Sequence, residues 1–469
     1  MSLIDWTVLL AVLVVAGWRI IAPAGRWLLP ALGVLCVLAV GQVLAEEFYW
    51  QFLPAYLLIA ALGVSATRLR SKPPAWLIWF ARTGLVVVMV LAVTPFALLV
   101  PVPVLSAPTG PFAVGTEIYR WVDASRDEPA TENSSDKRNV IAQAWYPALA
   151  PGRERSVYMD GLANLPPTVT LLPRFVMRSY DRINTHATLN AEISNQKLWP
   201  VVIFSPGFGA PRAFYTGLAT GLASRGYVVL ALDHPYESAV TQLADGTIAA
   251  RIDTSPADVD ARDAWMAEQL NIRAMDVRFA LDRLVEGAGR LKGHVDLSRV
   301  IAMGHSFGGA TAVAAGRDSR IAAVANIDGT PYGELPVLQR PFILLQSDYA
   351  VTTHGDSFMT RNKRLLEQTS APAWRYEVLR ANHVVFMDAP LFFAPPAVWA
   401  LSQIFGGNLF GGSRGAVETQ RAAADTLDAF IRETLLGESG AVTSAVARYS
   451  EIKGGRIEKE APPPEPRTL

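Results

Sequence analysis

The chain divides into two parts by the pattern of its apolar and polar positions. Four apolar runs lie near Leu3–Ala22, Trp27–Ala45, Tyr49–Ala66 and Trp76–Val100, and only nine charged residues stand among positions 1–105. Each run approaches the roughly 20 residues that an α-helix needs to cross the hydrocarbon core of a bilayer. A cleaved signal peptide would instead be one shorter run after a basic start. The pattern therefore predicts an all-α transmembrane domain of about four helices over residues 1–105.

Basic residues flank the first and the third of the loops between these runs. They are Arg19, Arg26, Arg68, Arg70, Lys72 and Arg82, whereas Glu46 and Glu47 occupy the second loop. Cytoplasmic loops carry an excess of Lys and Arg, so the first and third loops are expected in the cytoplasm. This orientation predicts a multi-pass membrane protein in which everything after Val100 lies on the outer face.

Beyond a proline-rich hinge, short apolar runs alternate with longer amphipathic ones. The alternation is typical of βαβ units and a largely parallel sheet. Strands are expected at Val140–Tyr146, Val201–Ser205, Tyr227–Asp233, Val300–Met303, Ala322–Ile327, Phe342–Leu345 and Trp374–Leu379. Helices are expected at Phe214–Arg225, Asp258–Glu286 and Ala416–Leu436. We expect this domain to cover residues 106–450, and residues 451–469 to form a disordered tail.

One strand-to-helix transition carries the most informative motif of the chain. Gly304-His305-Ser306-Phe307-Gly308 fits the pattern G-x-S-x-G and joins an apolar run to a run of small residues. The pattern alone arises by chance in long chains. Between a strand and a helix it is typical of a nucleophile elbow, in which a serine hydroxyl is exposed above the edge of the sheet. Together with the order of strands and helices, the motif predicts an α/β-hydrolase fold with Ser306 as the nucleophile.

A serine nucleophile needs a base, and in this fold the base follows both the nucleophile and the acid along the chain. His383 stands shortly after the expected strand Trp374–Leu379, where the base of this fold belongs. His354 lies in a polar loop and is expected at the surface, and His305 beside the serine is expected to be structural. His383 is therefore the predicted base.

Two aspartates are candidates for the acid that orients His383. Asp328 follows the first strand after the elbow, and Asp348 follows the second. Either residue could instead form a turn, which is the ordinary role of Asp beside Gly. The residues themselves therefore leave both candidates open.

The oxyanion hole requires two backbone N–H groups directed at the developing negative charge. Phe307 follows the nucleophile and is expected to supply one of them. The loop FSPGFG at residues 204–209 follows an earlier strand, and its Phe208 is the expected second donor.

Composition argues against several other kinds of site. The chain has 42 basic and 42 acidic residues, so charge gives no reason to expect nucleic-acid binding. Cys36 is the single cysteine, which excludes an intrachain disulfide and a multi-cysteine metal site. The predicted chemistry requires neither a metal nor an organic cofactor.

Over about residues 140–437 the sequence resembles the platelet-activating factor acetylhydrolases of the plasma and intracellular isoform II type. The markers are WYP at 145–147, FSPGFG at 204–209, LASRGYVVLALDHP at 222–235, GHSFGGAT at 304–311, NIDGT at 326–330 and NH at 382–383. Pro206 departs from the animal enzymes, which have a histidine there, and the four N-terminal helices are not part of their pattern.

The resemblance has implications for the site and for the substrate. The spacing of Ser306, Asp328 and His383 looks like that family's pattern, so it favours Asp328 as the acid. It also places Phe208 and Phe307 at the oxyanion hole. The implied activity is that of a membrane-anchored serine esterase, which cleaves phospholipids with short or oxidised acyl chains at the surface of the bilayer.

The sequence motifs also permit other functions. Polyesterases, dienelactone hydrolases and general carboxylesterases share the individual motifs. A catalytically inert domain that binds lipid as a membrane sensor is a hypothesis of another class, which the intact Ser, His and Asp set disfavours. The apolar segment Val384–Gly412 is either a lid or acyl-binding wall, or a helix packed under the sheet edge.

Overall fold

The computed structural model describes residues 2–22, 26–66, 74–100, 102–161, 178–352, 355–404 and 415–458. Within these residues the chain forms two compact units. The smaller unit contains Met1–Val104, Thr170–Ile183 and Leu391–Ala400, and the larger unit contains the rest. Two short segments from later in the sequence therefore group with the N-terminal helices, whereas a linear boundary at residue 105 assigns them to the second domain.

Four α-helices make up most of the smaller unit. They are α1 (Leu3–Ile21), α2 (Leu28–Glu46), α3 (Leu53–Ala66) and α4 (Ala75–Leu98). By length and composition α1, α2 and α4 are sufficient to cross a membrane. α3 is shorter than the expected run because its approach, Trp50–Phe52, is a 3₁₀-helix. Three of the cations used to predict the orientation, Arg68, Arg70 and Lys72, lie outside the described residues.

One mostly parallel sheet forms the centre of the larger unit. The strands are β1 (Ala113–Asp127), β2 (Lys137–Ala148), β3 (Thr188–Leu189), β4 (Trp199–Ser205), β5 (Val228–Asp233), β6 (Val240–Gln242), β7 (Ile248–Ala250), β8 (Val295–His305), β9 (Ile321–Ile327), β10 (Phe342–Ser347), β11 (Ala373–Val378) and β12 (Ile452–Arg456). β6 and β7 form a separate hairpin, and the other strands are ordered β12-β11-β10-β9-β8-β4-β5-β2-β1-β3. The strands from β11 to β5 in this order are parallel, and antiparallel strands flank them on both sides.

Helices lie against both faces of this sheet, as predicted. The helices after residue 184 are α5 (Thr216–Ala223), α6 (Val259–Glu286), α7 (Phe307–Ala315), α8 (Asp356–Gln368), α9 (Pro395–Ile404), α10 (Ala416–Leu435) and α11 (Ala441–Val446). Two separate apolar clusters cover the two faces of the central strands. Because a parallel strand is buried on both faces, β4 and β5 are apolar almost throughout and carry no polar alternation.

The structure differs from the sequence-based expectation at both sides of the sheet. β1 was not expected, because charged residues such as Glu117, Arg120 and Asp123 interrupt its apolar positions, yet it pairs along its length with β2. β12 lies within residues 451–469, where a disordered tail was expected. Its residues are mostly polar or glycine, but its backbone pairs antiparallel with β11, which requires no apolar side chains. Residues 459–469 lie outside the described residues.

Part of the apolar segment after His383, Leu391–Ala400, groups with the smaller unit, whereas Val385 and Phe386 are buried in an apolar cluster of the larger unit. Within the smaller unit the Val100 N–H donates to the Phe392 carbonyl, and the Ala394 N–H donates to the Leu98 carbonyl, both at 3.0 Å. These bonds join the start of α9 to the end of α4. Residues 405–412, the remainder of the expected lid segment, lie outside the described residues.

The carboxyl ends of neighbouring parallel strands meet at one edge of the sheet. β4 ends at Ser205, β8 at His305, β9 at Ile327 and β11 at Val378. In open α/β sheets this edge is where ligands bind. The loops that carry the predicted site residues therefore converge there.

Candidate active site

Ser306 lies at the sharp turn between β8 and α7. Its φ of 56° and ψ of −125° fall in a region that residues with side chains rarely occupy. The surrounding backbone holds this conformation, since the Ser306 N–H donates to the Ile327 carbonyl at 2.8 Å and the Ser306 carbonyl accepts from the Ala310 N–H at 3.2 Å. The residue is partly exposed. The hydroxyl is therefore presented at the sheet edge by a strained but well-supported turn.

Close backbone packing explains the glycine at the end of the motif. An ideal Cβ on Gly308 would lie 1.9 Å from the carbonyl oxygen of Ser205 and 2.5 Å from that of Pro206. Backbone atoms cannot swing aside as a flexible side chain does. We therefore expect Gly308→Ala to lower the free energy of unfolding by about 3 kcal/mol.

Gly221→Ala is the matched control for this prediction. Gly221 lies within α5, and nothing stands within 4 Å of the position that a Cβ would occupy. The added methyl group should stabilise the helix by about 0.5–1 kcal/mol. Denaturant titrations of both variants in detergent would measure the difference, and equal effects of the two substitutions would contradict this packing argument.

The imidazole of His383 lies between the serine and a buried carboxylate. Its Nε2 is 2.9 Å from Ser306 Oγ, and its Nδ1 is 2.8 Å from Asp328 Oδ2. The carboxylate is fully buried, whereas the imidazole is 31 % exposed. Asp328 also accepts hydrogen bonds from Ser347, at 2.8 Å from its N–H and 2.7 Å from its hydroxyl. These bonds fix the carboxylate, which in turn fixes the ring.

Asp348, the alternative acid, has different partners. One of its oxygens accepts the Ala350 N–H at 2.8 Å, and the other accepts the Arg380 N–H at 2.7 Å. Its carboxylate therefore closes two backbone turns after β10 and β11. Of the two candidates, Asp328 is the one hydrogen-bonded to His383. His354 lies outside the described residues.

His305 links His383 to the predicted oxyanion loop, residues 204–209, a contact that the sequence did not indicate. Its Nε2 is 2.9 Å from the carbonyl oxygen of His383, and its Nδ1 is 2.8 Å from the Tyr215 hydroxyl. Burial lowers the pKa of His305 to about 3, so the ring is neutral near pH 7. Nε2–H therefore donates to His383, and the Tyr215 hydroxyl donates to Nδ1. The same hydroxyl accepts the Gly207 N–H at 3.0 Å.

Phe208 and Phe307, the expected oxyanion donors, lie side by side. Their rings meet edge to face with centroids 5.9 Å apart. Within the described part of the chain neither backbone N–H donates to a protein acceptor. Phe307 is the first residue of α7, where the helix itself supplies no acceptor for the N–H. Both N–H groups are therefore available to donate to an oxyanion, as an oxyanion hole requires.

The described residues contain no group of three His, Cys, Asp or Glu side chains arranged to hold a metal ion.

Asp388 is a buried carboxyl group close to the base in sequence. It accepts the Gly217 N–H at 3.1 Å and the Tyr158 hydroxyl at 3.2 Å. Burial raises the pKa of Asp388 from 3.8 to about 7. The folded chain therefore binds this proton more tightly than the unfolded chain does, so its stabilising contribution is complete below pH 3.8 and is lost as the pH rises to about 7.

Asp388→Asn should remove this pH dependence, because an amide stays uncharged and keeps one acceptor oxygen. The free energy of unfolding of the variant, minus that of the parent, is expected to increase from about pH 4 to about pH 7 and to level off above. Denaturant titrations at closely spaced pH values would measure it. A difference that does not change with pH would show that Asp388 does not titrate in this range.

Three comparisons with known proteins agree on the kind of domain. The family model described as platelet-activating factor acetylhydrolase, isoform II, matches residues 130–287 and 268–328, which include Ser306 and Asp328. A probable 1-alkyl-2-acetylglycerophosphocholine esterase of Arthroderma benhamiae is 24% identical over 313 residues, which cover 61% of this chain and 76% of that protein. A platelet-activating factor acetylhydrolase of Cavia porcellus is 28% identical over 183 residues, 33% of this chain and 40% of that protein.

Among solved structures, a ferulic acid esterase from Streptomyces cinnamoneus is similar with a TM-score of 0.63. It is 28% identical, and the match covers 75% of this chain and 99% of that one. The α/β-hydrolase fold expected from the sequence is thereby confirmed. By its larger unit, this chain is similar to the platelet-activating factor acetylhydrolases of the isoform II type, and it is an esterase.

Proposed function

We propose that this esterase is a serine carboxylic-ester hydrolase held at a membrane by its N-terminal helices. The observation that carries the proposal is the continuous chain of hydrogen bonds from Ser306 Oγ through His383 to Asp328, at 2.9 and 2.8 Å. In this order the groups can activate a hydroxyl, and the strained turn at Ser306 presents that hydroxyl to a substrate.

The reaction follows from these positions. His383 Nε2 takes the hydroxyl proton as Ser306 Oγ attacks the ester carbonyl, and the Phe208 and Phe307 N–H groups bind the oxyanion. His383 then gives the proton to the leaving alkoxide, which departs as the alcohol and leaves an acyl-serine. Water deprotonated by His383 hydrolyses that ester and releases the carboxylic acid. Asp328 stabilises the imidazolium in both halves of the reaction.

The proposed substrate is a phospholipid with a short or oxidised acyl chain. Two observations support this substrate class. Relatives of the chain are named for glycerophosphocholine or platelet-activating factor esters, and the apolar helices would keep the chain at a lipid surface. Purified full-length protein in detergent should hydrolyse a short-chain phosphatidylcholine faster than a soluble p-nitrophenyl ester of the same acyl chain. A clear preference for the soluble ester would contradict this substrate class while leaving the serine mechanism standing.

A general carboxylesterase, polyesterase or dienelactone-type activity is the second candidate. The similarity to an esterase named for ferulic acid, which covers 75% of this chain, favours it. The rates of hydrolysis of a feruloyl ester and of short-chain phosphatidylcholine, measured with one enzyme preparation, separate the two candidates. The first candidate predicts faster hydrolysis of the phosphatidylcholine, and the second predicts faster hydrolysis of the feruloyl ester.

We also propose that the larger unit lies on the outer face of the membrane. The basic residues of the first and third loops support this orientation. Protease added to sealed right-side-out vesicles should then digest the larger unit, and permeabilised vesicles serve as the control. Full protection in sealed vesicles would place the unit in the cytoplasm.

A further inference from the structure

A buried arginine outside the Ser–His–Asp chain lies under the oxyanion loop. Arg273 is on α6 and is 1 % exposed. Its Nε donates to one oxygen of Glu237 at 2.6 Å, and its Nη2 donates to the other. Its Nη1 donates to the Pro206 carbonyl at 2.7 Å and to Ser205 Oγ at 3.2 Å. The planar guanidinium thus connects a carboxylate to the end of β4.

The contact with Pro206 fixes one peptide group of the oxyanion loop. In a trans peptide the C=O and the following N–H point in opposite directions, and the described residues contain no cis bond. The Pro206 carbonyl points to Arg273, and the Gly207 N–H on the other side of the same peptide donates to Tyr215 Oη at 3.0 Å. This peptide is therefore held at both ends.

The next peptide group contains the proposed oxyanion donor. The Gly207 carbonyl accepts the Ala210 N–H at 3.0 Å and faces Arg273 Nη2 at 3.5 Å. Since this carbonyl is held on the arginine side, the Phe208 N–H of the same peptide must point away from Arg273. The direction of that N–H is thus set by groups on the opposite face of the loop.

Arg273 also contacts the second proposed donor. Its guanidinium carbon lies 4.7 Å from the centroid of the Phe307 ring, within the range of a cation–π contact. One side chain therefore touches both the loop before Phe208 and the residue that follows the nucleophile.

A second, fully buried Ser–His–Asp chain holds the same loop from below. Ser205 Oγ is 2.9 Å from His234 Nε2, and His234 Nδ1 is 2.8 Å from Asp276 Oδ2. Burial lowers the pKa of His234 to about 4, so the ring is neutral near pH 7 and its Nε2 accepts a hydrogen bond from the Ser205 hydroxyl. Ser205 Oγ in turn accepts from Arg273. The three residues are at most 2 % exposed, so this chain is placed to hold the loop and is closed to substrate.

We propose that Arg273 is a positioning residue for the oxyanion hole, acting through the peptides of residues 206–208 and the ring of Phe307. The proposal rests on the proposed serine mechanism. Lysine cannot replace it, because an ammonium group lacks the planar fork that bonds Glu237 and the loop carbonyls together. Substitution of Arg273 should therefore destabilise the transition state more than it weakens substrate binding.

The test compares four variants of the full-length protein. Arg273→Met removes the guanidinium but leaves the partly buried Glu237 without its partner, which threatens folding. Arg273→Met with Glu237→Gln removes both charges and is the main variant. Arg273→Lys keeps the charge without the fork. Arg225→Met is the control, since the Arg225 side chain is partly buried and paired with the carboxylate of Asp425, and its hydrogen bonds go to Ala424, Thr109 and Asp425 and not to residues 205–208.

Two readouts separate positioning from a general structural role. The double variant should lose about 10²-fold in kcat with KM nearly unchanged, as expected when one oxyanion donor is misdirected. An ester and its matching thionoester should then differ less in rate than with the parent, because sulfur is a weak hydrogen-bond acceptor and gains little from the hole. Arg273→Lys should show the same pattern in weaker form, and Arg225→Met should keep the parental ratio.

Each outcome is decisive. A double variant that keeps the parental kcat overturns the proposal, and so does an equal loss on ester and thionoester or the same loss in Arg225→Met. Ser306→Ala is included in every assay. If Ser306→Ala retains the parental rate, the serine mechanism itself is wrong and Arg273 has no oxyanion to serve. If Ser306→Ala is inactive, a failure of the arginine test concerns Arg273 alone.

Discussion

Ser306→Ala should reduce kcat for ester hydrolysis by about a millionfold. The alanine lacks the oxygen that forms the acyl-enzyme. The binding surface and the Phe208 and Phe307 N–H groups are untouched, so KM should change little. The remaining rate should still exceed that of the uncatalysed reaction, because the oxyanion donors act on any attacking nucleophile.

The measurement is steady-state hydrolysis of a p-nitrophenyl ester by parent and variant at equal concentration in the same detergent. Thermal unfolding of both preparations is the control, because the methyl group of alanine adds no atoms to the turn. A variant with an unchanged melting temperature and more than a small fraction of the parental kcat would mean that another group is the nucleophile.

Asp328→Asn should reduce kcat by about 10⁴-fold, the second largest effect expected. An amide group at this position keeps the shape of the carboxylate but not its charge. The Nδ1–H of His383 then faces an amide that can present N–H as readily as C=O, so the ring is no longer held in the tautomer that accepts the serine proton. The imidazolium formed during attack also loses its counter-charge.

Asp348→Asn is the matched control for this substitution. Asp348 is also buried and also follows a strand of the sheet, but its oxygens accept backbone N–H groups from Ala350 and Arg380. The amide keeps one of these bonds, so we expect a stability loss of about 1 kcal/mol and nearly parental kcat. If Asp348→Asn lost activity and Asp328→Asn kept it, the acid would have been assigned to the wrong aspartate.

The members of the candidate site that lie in local motifs could be predicted from the sequence. The turn at Ser306 is specified by five consecutive residues, and the position of His383 follows from the strand that precedes it. The choice between Asp328 and Asp348 was harder, because both follow strands and either can close a turn. The family resemblance favoured Asp328, and in the structure its carboxylate is the one bonded to His383.

The residues that support the site could not be predicted in this way. Arg273 is one of several charged residues on a long amphipathic helix, and Tyr215 is the last residue of the short 3₁₀-helix Arg212–Tyr215. Their partners become neighbours only when β4 and β8 lie side by side in the sheet. The same holds for β12, whose pairing with β11 depends on backbone hydrogen bonds that no pattern of apolar residues records.

The membership of the smaller unit depends on long-range contacts as well. The composition of residues 1–100 was sufficient to predict its apolar helices. The contact of Phe392 with the end of α4 joins residues almost three hundred positions apart, and nothing local in either segment indicates it. The apolar run after His383 was equally consistent with a lid or acyl-binding wall and with a packed helix.

The most direct test of the central claim is to identify the residue that a fluorophosphonate modifies. The reagent reacts with a serine that a neighbouring base has activated, and the phosphonyl adduct survives proteolysis. Mass spectrometry of the full-length protein should show one adduct per chain, on the peptide that contains Ser306, with loss of esterase activity in proportion to labelling. Labelling of another residue, or an undiminished labelling rate in Ser306→Ala, would contradict the assignment of this protein as a serine hydrolase acting through Ser306.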